Sequence, residues 1–143
     1  MLVLSERLKQ KSLKVTAQRL AIYGFLSGTT EHPNAETMYA ALVQQYPALS
    51  LATVYKTLDV LCKAGLVQAF SVGDGSFRYD ANSAGHPHFI CRRCARVYDV
   101  HGMGELADLR AEAAARLNAE VEDEQLFFYG VCSSCREDVG GIC

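Results

Sequence analysis

The 143-residue chain is 50% hydrophobic with a formal net charge of −2, which excludes a disordered protein and leaves room for one ordinary domain or two small ones. No apolar run approaches the roughly 18 residues that a membrane span needs. The start MLVLSERLKQK lacks the basic-then-apolar order of a secretory signal, so the expected compartment is the cytoplasm, with no membrane partner.

Charge is unevenly spread. Met1 to Ser27 carries Arg7, Lys9, Lys11, Lys14 and Arg19 against Glu6 alone, a local +4, whereas Ala81 to Cys143 sets six arginines against ten acids, a local −4. A basic front and an acidic back suit a protein that places one end on phosphates; two ordinary solvated faces are the plainer alternative.

In chain order, Thr16 is placed to cap a helix beginning at Ala17, whose apolar residues recur at helical intervals through Leu26. Asn34 is placed to cap a second helix over Ala35 to Gln45, closed by Pro47. Ser50 is placed to cap a third over Leu51 to Ala64, with Gly65 as its terminator and Val54, Leu58, Leu61 and Cys62 as its apolar face. Strand-like runs follow at Leu66 to Val72 and Phe77 to Asp80, joined by the hairpin turn Gly73-Asp74-Gly75-Ser76. Three helices and a hairpin are the order of a winged helix-turn-helix over residues 1–80.

Residues 81–143 read as a small α+β unit. Short strands are expected at His88 to Cys91 and Arg96 to His101, a helix from Gly104 to Asn118, and a last strand at Gln125 to Val131. So little chain makes a meagre core, and such a unit calls for a metal or a partner subunit.

Four of the six cysteines form two Cys-x-x-Cys pairs, Cys91/Cys94 and Cys132/Cys135, with 37 residues between them. Two such pairs supply the four thiolates that a tetrahedral structural zinc prefers. A dithiol redox centre is the rival reading, but it requires a helix-start cysteine in a thioredoxin-like setting that neither pair shows. Cys62 reads as a small buried hydrophobe and Cys143 as a free thiol.

The four histidines fall at His32, before the second helix, at His86 and His88 around Pro87, and at His101, just beyond Asp99. Taken singly, each reads as a surface or satisfied histidine; the His86 and His88 pair reads equally as that or as ligands. Beside them stand His32-Pro33-x-Ala35, Ala52-Thr53-Val54-Tyr55-Lys56, Phe77-Arg78-Tyr79-Asp80, His86-x-His88-Phe89-Ile90-Cys91-x-x-Cys94 and Gly130-Val131-Cys132-x-x-Cys135. In that order and at that spacing, through nearly the whole chain, these segments resemble the ferric uptake regulator family.

The resemblance implies a zinc-stapled homodimer, whose winged helices bind palindromic operator DNA, and one regulatory metal site per subunit. Carried over by position, the regulatory ligands are His32, Asp80, His86, His88 and Asp99, a set of imidazoles and carboxylates suited to Fe²⁺ or Mn²⁺. His101 could compete as a ligand. Aspartate at both Asp80 and Asp99 is similar to the family's peroxide-responsive branch, where iron-driven oxidation of ligating histidines, here His32 and His86, ends repression. The alternative is a repressor of iron-uptake genes that senses iron availability, which usually has glutamate at one of those positions. Iron sensors also often carry extra ligands beside the His-x-His pair, where this chain has Gly85 and Pro87.

For DNA, the resemblance implies base contact by Tyr55 through a thymine methyl, contact by Lys56 with a phosphate or base edge, and backbone contacts by Lys14 and Arg19. Without it, Tyr55 would be assigned to the core and Lys56 to solvent. An enzyme is the main rival of another class, but catalysis needs an open coordination position, a substrate cleft and a general base. The expectation is therefore no catalysis and no small-molecule substrate. A zinc-only interaction module would leave the winged-helix half unexplained.

Overall fold

The computed structural model describes residues 2–73, 75–81 and 86–137, so Asp74 of the expected hairpin turn, Gly85 and Cys143 lie outside it. The chain divides into two compact units, Met1–Ser83 and Ala84–Cys143.

The first unit contains α1 (Leu2–Gln10), α2 (Ala17–Ser27), α3 (Ala35–Leu42), α4 (Leu51–Lys63) and an antiparallel hairpin of β1 (Gln68–Ser71) with β2 (Phe77–Asp80). The three expected caps are formed. Thr16 Oγ1 accepts from Arg19 N at 3.1 Å, Asn34 Oδ1 from Thr37 N at 2.8 Å, and Ser50 Oγ from Thr53 N at 3.1 Å. Each cap satisfies an amide that the helix leaves unpaired, worth about 1 kcal/mol. Gly65 ends α4 at φ 77°, a conformation that glycine adopts without a Cβ clash.

A single core holds these helices together. Leu8, Ile22, Met38, Val54, Leu58 and Leu61 are completely buried in it, and burying a side chain of this size is worth about 1.5–3 kcal/mol. Helix α1 was not expected, and its one buried residue, Leu8, fixes it to the core. α3 ends at Leu42, three residues before the expected stop, and the following turns allow Leu49 to bury. β1 starts later than expected because the amides of Leu66 and Val67 instead bond to Leu61 O, closing the end of α4. Thr57 joins the buried face of α4, while Cys62 is only half-buried.

The second unit contains β3 (His88–Cys91), β4 (Val97–Asp99), α5 (Leu106–Leu117), β5 (Phe127–Gly130) and α6 (Ser133–Glu137). β3 lies at the centre of a three-stranded sheet, antiparallel to β4 and parallel to β5. A parallel pairing needs a crossover, and the segment carrying α5 supplies it. Leu106 is the one buried residue of α5, while Leu109, Leu117, Phe128, Tyr129 and Val131 stay exposed. The unit's interior is correspondingly small.

Candidate metal centres and nucleic-acid interface

The cysteine cluster joins the two sequence pairs. Cys91 Sγ lies 3.6 Å from Cys135 Sγ, and Cys94 Sγ lies 3.9 Å from Cys132 Sγ. Four sulfurs held at about 2.3 Å from one tetrahedral ion stand about 3.8 Å apart, and both distances fit that geometry. Cys91, Cys94 and Cys132 are free thiols. Cys91, Cys132 and Cys135 are buried. Cys91 ends β3, and its carbonyl accepts from Ala95 N at 2.9 Å in a turn where Ala95 takes φ 60°. The second pair differs, since Cys132 immediately precedes α6 and Cys135 lies within it. All four sulfurs lie within 4.8 Å of one another, as ligands of one ion would.

Polar groups around Cys91 favour its thiolate. Burial pushes the Cys91 thiol up, but hydrogen bonds from the backbone of Cys132, Cys94 and Arg93 outweigh it and lower its pKa to about 6. Burial pushes the Cys94 thiol up. Arg93 Nη1 donates to Cys135 O at 2.8 Å, tying the two cysteine segments together.

The histidine and aspartate residues form a cluster in each unit. In the first, His32 sits just before α3 at φ 54° and is 2% exposed. Its Nε2 lies 3.3 Å from Oδ2 of Asp80, the last residue of β2. Tyr79 N donates to Pro33 O at 3.2 Å, which holds the two segments together.

In the second unit, His86 and His88 alternate along extended chain and so face the same way, with ring centroids 4.4 Å apart. Asp99 Oδ1 lies 2.8 Å from His86 Nε2 and 3.4 Å from His88 Nε2. His88 is fully buried, its ring stacked 5.6 Å from that of Phe127. Imidazole nitrogens converging on a carboxylate are a donor set that suits a divalent ion of borderline hardness. His101 is exposed, its ring stacked 6.2 Å from that of His86, and it stands outside this cluster.

On α4, Tyr55 is 45% exposed, so the assignment to the core does not hold. Lys56 and Lys14 are exposed, and Arg19 Nη1 donates to Lys14 O at 2.9 Å. Sequence reasoning missed Glu36, in the first turn of α3, whose Oε1 accepts from the Tyr55 hydroxyl at 2.5 Å. Nineteen positions separate the two residues, and no local pattern signals the contact. That bond keeps the Glu36 carboxyl below its ordinary pKa and raises that of the Tyr55 phenol. Among the described residues no helix is long and apolar enough to cross a membrane.

Comparison with known proteins matches residues 10–129 to the ferric uptake regulator family. The chain is 44% identical over 129 residues to the transcriptional regulator PerR of Clostridium acetobutylicum, covering 90% of this chain and 93% of that one. It is 37% identical over 132 residues to the peroxide operon regulator of Bacillus subtilis, covering 91% and 89% respectively. The crystal structure of the Campylobacter jejuni peroxide stress regulator superposes with a TM-score of 0.73 at 27% identity, covering 93% of this chain and 96% of that one.

Proposed function

The chain belongs to the ferric uptake regulator family, and on that premise we propose that it is a metal-dependent, peroxide-sensing repressor. It binds palindromic operator DNA as a cytoplasmic homodimer and is not an enzyme. The observation that carries the reading is the composition of the two histidine–aspartate clusters: His32 with Asp80, and His86, His88 with Asp99. The peroxide-responsive names of its relatives point the same way.

In this reading Cys91, Cys94, Cys132 and Cys135 hold one structural Zn²⁺ per subunit, and the five histidine and aspartate side chains hold one regulatory Fe²⁺ or Mn²⁺. Residues 1–80 are the reading head and residues 81–143 the dimerisation domain. Ligands drawn from both domains make a DNA-competent dimer depend on the regulatory ion, because half-site spacing demands one fixed separation of the heads. Leu109, Phe128 and Tyr129 offer the second unit apolar surface for a second copy. On the first unit, Tyr55 and Lys56 face the major groove, while Lys14 and Arg19 take phosphates.

Bound Fe²⁺ would supply the one-electron chemistry that turns hydrogen peroxide into an oxidant. His32 and His86 are the side chains that take up oxygen, and an oxidised imidazole is a poor donor. Losing either one leaves the shared ligand set incomplete and weakens the tie between the domains, and repression ends.

The test is to load the dimer with Fe²⁺ without oxygen, expose it briefly to hydrogen peroxide, and map added oxygen by peptide mass spectrometry, with Mn²⁺ as control. One added oxygen on His32 or His86 in the iron sample alone is expected. Unmodified histidines would sink peroxide sensing and favour a repressor responding to iron availability.

A further inference from the structure

A hydrogen bond between the exposed faces of α3 and α4 involves the residue assigned to reading DNA bases. Tyr55 donates its hydroxyl to Glu36 Oε1 at 2.5 Å, at the short end for a charge-assisted O–H···O⁻ bond. Glu36 lies in the first turn of α3, where the helix end favours a carboxylate. Both residues are exposed.

A structural staple is the plainer explanation, but α3 and α4 need none. Met38 of α3 and Val54 and Leu58 of α4 are completely buried in the shared core, and together they outweigh one solvated hydrogen bond. An acid on a surface that meets phosphates also works against affinity. Its effect on Tyr55 offers a reason for its presence.

Resting on the proposed DNA contact of Tyr55, we infer that Glu36 is a positioning residue for base reading. By accepting the phenol's only proton it holds the ring in one orientation and withdraws the hydroxyl from phosphates and base acceptors. Tyr55 then presents an apolar ring, which discriminates a thymine methyl group and little else. Released from Glu36, the side chain would turn freely and its hydroxyl would bind any acceptor within reach.

The experiment uses the Mn²⁺-loaded dimer and an operator selected by the wild-type protein from random-sequence DNA. Each thymine is replaced in turn by uracil, which removes the methyl and nothing else. For wild type, one thymine per half-site should carry a penalty of about fourfold, the worth of one buried methyl group. In Glu36→Ala that penalty should fall below about twofold. Glu36→Gln, whose Oε1 still accepts the proton, should restore most of it. Tyr55→Phe should behave like Glu36→Ala, and the double variant no worse than either.

A full uracil penalty in Glu36→Ala, or additive losses in the double variant, would overturn the inference, because Glu36 would then act independently of the ring. If wild type selects an operator but shows no uracil penalty, methyl reading by Tyr55 fails and Glu36 has nothing to position. If no sequence is enriched at all, the repressor reading itself falls.

Discussion

His88 and Asp99 stand directly opposite each other across the antiparallel β3–β4 ladder, with Nε2 3.4 Å from Oδ1. Strand register therefore sets their separation, and a slip of one residue would turn one of them to the other face. His86 reaches the same carboxylate oxygen at 2.8 Å. Asp99 is thus the common partner of both imidazoles. Asp99→Asn should lower Mn²⁺ affinity by at least about tenfold while leaving zinc content unchanged, as measured by metal titration and elemental analysis. Undiminished Mn²⁺ binding would remove Asp99 from the ligand set.

The cysteine cluster carries a different expectation. Cys91, Cys132 and Cys135 form a buried cluster in a unit with little other interior, so metal binding there is folding energy. Stripping zinc with a strong chelator, or replacing Cys132 with Ala, should unfold the second unit and leave the helices of the first. Amide exchange measured by unit would show protection lost on β3–β5 and kept on α2 and α4. Equal protection with and without zinc would contradict a structural role.

Cys62 should be unreactive. Burial on α4, with a smaller push from Asp59, raises its thiol pKa from 9.0 to about 11. At pH 8 the thiolate is then about a hundredfold scarcer than in the unfolded chain, and alkylation should slow by about that factor. The sign of the linkage follows from the raised value. Stability is unaffected by this group below pH 9 and is lost progressively as pH rises towards 11. Alkylation of Cys62 in native and urea-unfolded protein, read by mass spectrometry, checks the ratio.

Ser50→Ala removes the cap of α4, where Ser50 Oγ accepts from Thr53 N at 3.1 Å. The free protein should lose about 1 kcal/mol in chemical denaturation. No loss would mean that the first turn of α4 is held by its packing alone.

Lys14→Ala tests the phosphate contacts. The side chain is exposed beside α2, so its removal should weaken binding to all DNA sequences alike. The slope of log affinity against log salt should flatten by about one unit. An unchanged slope would show that Lys14 meets no phosphate.

Much of this protein is local, and local features are legible in a sequence. Thr16, Asn34 and Ser50 mark the starts of α2, α3 and α4 because a side-chain oxygen caps the amides a few residues on. Gly65 marks the end of α4 for an equally local reason. The cysteine pairs announce metal chemistry because ligand type and spacing are themselves sequence properties, whereas the His-Pro-His segment becomes a ligand candidate only through the family resemblance. What required the tertiary structure is whatever arises between distant segments. Helix α1 has no acidic first turn, and it is held because Leu8 finds a place in the core. The parallel pairing of His88 with Phe127 depends on a crossover that no short-range pattern encodes. The facing of Cys91 with Cys135, and of Tyr55 with Glu36, appears only after the packing of whole elements brings the chain together. Sequence spacing names the groups that can react or bind; only burial and register decide which of them meet.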